Sequence, residues 1–303
     1  YRPSRYGKVF AGIRHENHST FGSESLPLVG AVINPFETTA LKFSHGKHFL
    51  APTPNDLYWP AGPYTRGNAD LKPEIGWHTD VTLEQSLLKD KLFVTISYFH
   101  WNVDNKIQWE PDSQGVFTPI NLGGYKADGI EGGIKIGPFY DLMLALSYTY
   151  TDAKEKNREY TRQDYGWPPF FPPDFQYGMA ERRASYTPRD RFKADLTYKS
   201  NFGLAVTATA RYVGNRIVYR TESTTYPDTK TVKYALDSYW TTDLKIEQRF
   251  CKHWILSLSG VNLFDKKYDT HLTTFTDQAS SRTSTATYPA AGRSVFAGMT
   301  YEF

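Results

Sequence analysis

The connections between the predicted strands of this chain alternate between very short and very long, and this alternation constrains the fold more than any other feature. Most of the short connections contain Gly, Pro, Asn or Asp, as is typical of hairpin turns. The short connections are residues 34–38, 87–91, 137–141, 199–203 and 249–253. The long connections lie near residues 15–26, 47–73, 104–123, 153–186, 214–232 and 267–286. Successive antiparallel strands joined in this order have every short turn at one end and every long connection at the other.

The predicted strands show a period of two. In residues 191–199, apolar side chains at the even positions alternate with polar and charged side chains at the odd positions, and residues 142–150 and 204–212 repeat the pattern. Successive side chains of a strand point to opposite faces, so one face of the sheet is apolar and the other is polar. The pattern predicts twelve strands, at residues 7–14, 27–34, 38–46, 74–87, 91–103, 124–136, 141–152, 187–199, 203–213, 233–249, 253–266 and 287–303.

An outer-membrane β-barrel accounts for both features, whereas a soluble sandwich or propeller gives no reason for six long connections at one end. Such barrels have short periplasmic turns, longer extracellular loops and strands that alternate lipid-facing apolar with lumen-facing polar side chains. Aromatic residues make up 16% of the chain, which suits strands at a membrane boundary. The sequence therefore predicts an all-β, antiparallel transmembrane barrel in the outer membrane of a Gram-negative bacterium, with outer-membrane lipid around it and the long loops extracellular.

Composition and motifs exclude several other classes of function. No apolar run approaches the roughly 18 residues of a membrane-spanning helix. The 35 basic and 32 acidic residues are interleaved, which argues against a nucleic-acid partner, and Cys251 is the sole cysteine. His45 and His48 lack a third ligand in sequence, and no catalytic motif is present, so we expect neither an enzyme, a metal site nor a cofactor.

Several motifs occur in an order that resembles the carboxyl-terminal half of TonB-dependent outer-membrane receptors. Residues 49–74 contain a Phe-Arg-Ala-Pro-like box, with Leu50 in place of Arg, and an Asn-Pro-x-Leu-x-Pro-Glu-like box, with Ala69 in place of the first Pro. Further matches are Asn121, Gly129-Ile130-Glu131, Tyr186-Thr187-Pro188-Arg189, the segment at 261–268 and Pro289-Ala290-Ala291-Gly292-Arg293.

The resemblance implies a barrel of about 22 strands filled by a plug domain. It makes residues 1–303 the carboxyl-terminal part of that barrel, with the plug and about ten earlier strands absent from the sequence. A self-closed barrel of twelve strands remains the alternative, because an open half would leave two unpaired edges in lipid. The partners implied are the missing plug and strands, TonB acting through the absent amino-terminal region, and the barrel-assembly machinery.

The resemblance implies TonB-dependent uptake of a metal chelate, such as a ferric siderophore or cobalamin. Aromatic side chains in proline-stiffened loops suit a large planar ligand, and arginines, among them Arg66, Arg216 and Arg220, suit an anionic one. The candidate ligand-binding residues are Tyr58, Trp59, Tyr64, Arg66, Trp109, Tyr165, Trp167, Phe170, Phe171 and Arg220.

The last strand ends in Met299, Tyr301 and Phe303 on one face, which resembles the signal recognised by the barrel-assembly machinery. Two other functions stay open at this point. A passive pore or adhesion barrel of twelve strands is the first, and a soluble β-rich carbohydrate-binding module is the second.

Overall fold

The computed structural model describes residues 6–111, 116–164, 174–225, 228–251, 253–277 and 282–302. Within these ranges no helix has the length and hydrophobicity needed to cross a bilayer. The elements are β1 (Gly7–His18), β2 (Gly22–Phe36), β3 (Thr39–Leu50), α1 (Pro54–Tyr58), β4 (Glu74–Leu87), β5 (Leu92–Pro111), β6 (Phe117–Phe139), β7 (Leu142–Asp164), β8 (Asp174–Arg183), β9 (Asp190–Lys199), β10 (Leu204–Val213), β11 (Arg216–Thr225), β12 (Asp228–Leu236), β13 (Tyr239–Phe250), β14 (Trp254–Val261), β15 (Asp269–Asp277), β16 (Arg282–Pro289) and β17 (Ser294–Tyr301).

Twelve antiparallel strands form one continuous sheet, which confirms the all-β fold and the predicted number of wall strands. The strand order is β1-β2-β3-β4-β5-β6-β7-β9-β10-β13-β14-β17, and β8 pairs with the outer part of β7. Within the described residues, β1 and β17 each pair with a single neighbour, so the sheet does not close on itself. The predicted alternative in which β17 pairs with β1 is therefore not observed.

The connections at the long-loop end contain more regular structure than the sequence predicted. The segment near 15–26 is a tight hairpin, in which β1 and β2 stay paired as far as His18 and Gly22. Two further hairpins, β11–β12 and β15–β16, occupy segments that were expected to be loops or the outer ends of wall strands. Both faces of these hairpins are polar over much of their length, so they lack the alternation that identifies a strand at the bilayer.

Three predicted strands are also corrected in their bounds. The strand predicted at 233–249 combines the end of β12 with β13, and the strand predicted at 287–303 combines the end of β16 with β17. The strand predicted at 253–266 ends earlier, at Val261, because the side chain of Asn262 bonds both the N–H and the C=O of Lys266 and forms a turn.

The side chains of the twelve-stranded sheet separate into an apolar face and a polar face, as predicted. On the apolar face, Leu196 faces Ala208 across the β9–β10 pair, and Ile96 faces Leu83 across the β4–β5 pair. Leu196 is 48% exposed and Ile96 is 52% exposed. Large apolar side chains this exposed along a whole sheet indicate that hydrocarbon rather than water covers this face.

The polar face carries pairs of opposite charges. Lys42 lies 2.5 Å from Glu84, Lys193 lies 2.7 Å from Asp195, Lys245 lies 2.8 Å from Glu247, and Arg211 pairs with Asp243. The mixture of signs indicates a surface that neutralises its own charges rather than a simple anion or cation pore.

We expect Leu196→Arg to destabilise the protein in phosphatidylcholine vesicles by about 2–4 kcal/mol, because it places a charge on the apolar face between the rings of Phe192 and Tyr198. The matched control is Ala145→Arg, on the polar face opposite Asp195. Denaturant unfolding monitored by tryptophan fluorescence measures both variants. Equal destabilisation by the two arginines would contradict the assignment of the two faces.

Candidate ligand-binding site

Residues 51–73, here called the box loop, connect β3 to β4 at the long-loop end and fold into an ordered structure. The loop begins with the short helix α1, whose N-cap is Thr53. The N–H of Asp56 donates to Thr53 Oγ1 over 3.2 Å, and the N–H of Thr53 donates to Asp56 Oδ2 over 3.0 Å, which completes a capping box. This reciprocal pair satisfies two backbone donors that would otherwise be unpaired at the start of the helix.

The carboxylate of Asp56 also joins the box loop to the β5–β6 hairpin. Its Oδ1 accepts a hydrogen bond of 2.9 Å from Trp109 Nε1 on β5. Partial burial acts to raise the pKa of the Asp56 carboxyl, but the hydrogen bonds from Thr53 and Trp109 outweigh burial and hold this pKa below its usual value. The ionised form of Asp56 is therefore the form that holds α1 against the hairpin.

The motif residues that carried the family resemblance anchor the box loop to the same hairpin. Asn68 Nδ2 donates to the carbonyl of Pro119 over 2.9 Å, and Glu74 Oε1 accepts from the N–H of Ile107 over 2.9 Å. The side chain of Asn121 bonds both the N–H and the C=O of Lys72, at 2.8 and 2.7 Å. These side-chain bonds to backbone groups fix the path of the loop.

Four exposed aromatic side chains lie on the box loop and at the start of β6, and together they are here called the aromatic patch. Its members are Tyr58, Trp59, Tyr64 and Phe117, with exposed fractions of 61%, 45%, 75% and 46%. The N–H of Phe117 donates to the carbonyl of Tyr64 over 2.8 Å, and Trp59 Nε1 donates to Thr65 Oγ1 over 3.1 Å. The patch thus presents large ring surfaces from a backbone that is held in place.

The structure brings five of the predicted binding residues together. Tyr58, Trp59, Tyr64 and Arg66 lie in the box loop, and Trp109 makes an edge contact with Trp59 at a centroid distance of 6.4 Å. Arg66 is exposed, and its Nε donates to Thr118 Oγ1 over 3.2 Å. Phe117 was not predicted, although the predicted Trp109 lies in the same segment 104–123, because nothing in the sequence indicates that Phe117 lies beside the box loop. Its place beside Tyr64 depends on the folding of the box loop.

Arg220 lies elsewhere, in a contact among the hairpins. Its Nη2 donates to Tyr186 Oη over 2.6 Å and to the carbonyl of Leu272 over 2.7 Å. Val218 of the same strand is fully buried in a cluster with Leu236 and Leu272. The guanidinium of Arg220 therefore stabilises the packing of β11 against β15, as Arg216 does by donating to the carbonyl of Asp269 over 2.7 Å.

Several predicted residues lie outside the described residues, namely Tyr165, Trp167, Phe170, Phe171 and Phe303. Met299 and Tyr301 are described and lie on the apolar face of β17, 65% and 45% exposed. Within the described ranges, no group of three or more His, Cys, Asp or Glu side chains is arranged to hold a metal ion.

Comparison with known proteins identifies the class of protein that this architecture defines. The family described as "TonB dependent receptor-like, beta-barrel" matches residues 5–263. The chain therefore belongs to the TonB-dependent receptor family. It is located in the outer membrane of a Gram-negative bacterium, with the apolar face toward lipid and the long-loop end extracellular.

The curated relatives that the chain matches include a vitamin B12 transporter and a ferric-pyoverdine receptor. The chain is 28% identical over 298 residues to the vitamin B12 transporter BtuB of Vibrio vulnificus, which covers 97% of this chain and 40% of that protein. It is 26% identical over 215 residues to the ferric-pyoverdine M114 receptor PbuA of Pseudomonas sp. strain M114, which covers 70% of this chain and 24% of that protein. The chain thus spans less than half the length of these relatives.

Solved structures of this fold superpose over the whole chain. A point mutant of the ferric enterobactin receptor PfeA of Pseudomonas aeruginosa, in complex with enterobactin, gives a TM-score of 0.73 at 18% identity and covers 100% of this chain and 44% of the receptor chain. FpvA of the same species, bound to a heterologous pyoverdine, gives a TM-score of 0.67 at 16% identity and covers 100% of this chain and 37% of the FpvA chain. These likenesses establish the fold.

We expect Asp56→Asn to weaken the docking of the box loop by about 1 kcal/mol, since it removes the charged acceptor of the capping box. Hydrogen exchange of the amides of Leu57, Trp59 and Gly67, which bond within this loop, should become roughly fivefold faster. The exposed Asp70→Asn in the same loop is the isosteric control. Equal exchange rates in the two variants would exclude a role for Asp56 in docking.

The same contact predicts a pH dependence. The pKa of Asp56 is lower in the folded loop than in an unfolded chain, so its contribution is complete above about pH 4 and is lost as the pH falls through the folded value. Exchange of the three amides should therefore accelerate below about pH 4, after correction for intrinsic exchange, in the unmodified protein but not in Asp56→Asn.

Proposed function

We propose that this chain is part of an outer-membrane receptor that binds a metal chelate outside the cell and imports it by TonB-dependent transport. The chelate class is that of ferric siderophores and cobalamin, the compounds named for the curated relatives. The observation that carries the proposal is the aromatic patch, held on an anchored loop at the extracellular end of a TonB-dependent receptor barrel.

The physical properties of the patch suit such a ligand. Exposed rings on a fixed backbone bury apolar ligand surface without the entropic cost of ordering a flexible loop. Arg66 is exposed in the same loop, and its positive charge suits an anionic group of the chelate. Affinity then comes from many ring contacts, with the metal held by the chelator rather than by the protein.

The binding partners of the whole receptor belong to the same proposal. We propose that the twelve strands form the carboxyl-terminal part of a larger barrel, whose remaining strands pair with β1 and β17 and whose lumen holds a plug that contacts TonB. The edges of β1 and β17 have no second partner strand among the described residues, which supports this arrangement, because unpaired strand edges are costly in lipid. We also propose that Met299, Tyr301 and Phe303 are read by the barrel-assembly machinery.

Of the two other candidate functions, one is excluded and one remains. A soluble carbohydrate-binding module is excluded by membership of an outer-membrane receptor family. A passive pore is the remaining competitor, and it differs from the proposed receptor in needing no energy from TonB. The chain's relatives are receptors and transporters, which supports a non-enzymatic role.

We expect the double variant Tyr58→Ser, Tyr64→Ser to weaken chelate binding about tenfold, because each ring contact contributes roughly 0.5–1.5 kcal/mol. Titration of the detergent-purified receptor with cyanocobalamin, and separately with ferric pyoverdine and ferric enterobactin, identifies which probe binds and measures its affinity. Tyr140→Ser is the control, because Tyr140 is 97% exposed at the opposite, short-turn end. Equal effects of the two sets of variants would refute the patch as the binding surface.

We expect uptake of the radiolabelled chelate that binds to fall to background in cells that lack TonB, while surface binding to the same cells is unchanged. A TonB-dependent transporter needs the inner-membrane energy source to move cargo but not to bind it. Uptake that persists without TonB would instead identify a passive pore.

A further inference from the structure

We propose that a second site, on the lipid-facing side of the barrel, binds a phosphorylated glycolipid of the outer leaflet. The site, here called the lysine patch, consists of Lys126 on β6 with Lys154 and Lys156 on β7. It lies on the opposite side of the sheet from the lumen and is distinct from the aromatic patch.

The strand register sets the height of the lysine patch relative to the membrane. On the apolar face, Tyr98, Ile130 and Tyr150 form one row across β5, β6 and β7. The row of Asn102, Lys126 and Lys154 lies four residues further toward the extracellular end of the same strands and on the same face. Four residues of a tilted strand correspond to roughly 10 Å along the membrane normal. The lysines therefore lie at the level of lipid headgroups, above the rings of Tyr98 and Tyr150 and separated from them by the row of His100, Asp128 and Asp152.

The lysine patch has positive charge available for an anion. All three lysines are exposed, and Lys154 lies 3.6 Å from Glu181. Neither Lys126 nor Lys156 forms an ion pair with any residue that the structure describes. The acidic groups beside them on this face are Asp104, Glu181, Asp128 and Asp152; Asp128 pairs with His100 and Asp152 pairs with Arg189. Lysine ammonium groups near a bilayer attract anionic headgroups, and this attraction strengthens with each charge.

The patch surrounds a cavity with a further polar group. The cavity has a volume of about 260 Å³ and is lined by the three lysines together with Asn102, Met179 and Glu181. Asn102 Oδ1 is buried and has no hydrogen-bond partner within the described part of the chain. A buried amide oxygen without a partner is costly, and a sugar hydroxyl in the cavity would satisfy it.

These features define the chemistry of the ligand. The lysines suit a phosphate group, Asn102 suits a sugar hydroxyl, and the apolar face below, with Tyr98 and Tyr150, suits acyl chains. A lipid that carries phosphate on a sugar combines all three, whereas a free phosphate ion would use the lysines alone.

The test uses the detergent-purified receptor and bis-phosphorylated lipid A, with bound lipid counted by native mass spectrometry. We expect Lys126→Gln, Lys156→Gln to weaken lipid A binding by at least roughly tenfold, in line with the loss of two charges near the headgroup. The double variant Lys89→Gln, Lys199→Gln changes the net charge equally at the short-turn end and should bind as the unmodified protein does. An unchanged shift in gel mobility on heating verifies that each variant is folded.

Two further probes identify the source of the phosphate. Dephosphorylated lipid A should bind at least tenfold more weakly, and inorganic phosphate at millimolar concentration should leave lipid A bound. Equal binding of dephosphorylated lipid A would overturn the proposal, and so would displacement of lipid A by inorganic phosphate, which would identify a soluble-anion site. An equal loss of lipid A binding in the two double variants would show that only the net charge of the protein matters, and this result would also overturn the proposal. Because chelate binding at the aromatic patch is measured separately, either site can fail without the other.

Discussion

The backbone hydrogen-bond ladder that connects neighbouring strands from β1 to β17 is the constraint on which the rest of the structure depends. Hydrocarbon offers no partner to a backbone N–H or C=O, so each group within the bilayer must be paired along the sheet. The ladder therefore fixes the wall and leaves only side chains and the connections beyond the membrane free to vary. Large apolar residues occupy the lipid face, and self-neutralising charge pairs occupy the polar face. Neither face provides a packed core of the kind that stabilises a soluble domain.

Structure at the extracellular end is stabilised by a different means. There the hairpins lie beyond the bilayer, so local hydrogen bonds and a small buried cluster of Val218, Leu236 and Leu272 stabilise them instead. The box loop depends on side chains that bond backbone groups, as Asn121 does to Lys72 and Asp56 does to Thr53. The outer hairpins depend on arginines that donate to carbonyls, as Arg216 and Arg220 do. Such anchors hold the loops without a large hydrophobic core. Aromatic side chains such as Tyr64 can therefore remain exposed instead of packing inside the loop.

The difference between wall strands shaped by the bilayer and extracellular connections held by local hydrogen bonds explains what the sequence could and could not predict. Alternation with a period of two identified all twelve wall strands, because the bilayer imposes one apolar and one polar face on each of them. The hairpins β11–β12 and β15–β16 carried no such pattern and were missed. The box loop residues Tyr58, Trp59 and Tyr64 were found by their aromatic character. Phe117 was missed because its neighbour Tyr64 reaches it only through the folded loop. The motif residues Asn68 and Asn121 pointed to a family, but their role as loop anchors follows from atomic contacts that a linear sequence does not display.

The two surfaces proposed to bind ligands differ in the same way: the lysine patch lies on the hydrogen-bonded wall strands, and the aromatic patch lies on an anchored loop. The ladder joins β5, β6 and β7 both inside the bilayer and for several residues above it. The backbone pairing of the wall strands therefore fixes the positions of Lys126 and Lys154. The aromatic patch, in contrast, rests on a loop whose position depends on a few side-chain hydrogen bonds. A ligand at the lysine patch meets a surface as rigid as the sheet itself, whereas a ligand at the aromatic patch meets a surface that loss of one anchor can displace. Loss of an anchor is therefore expected to displace the box loop but not the strands beneath the lysines, because only the loop can move without breaking backbone pairs in lipid.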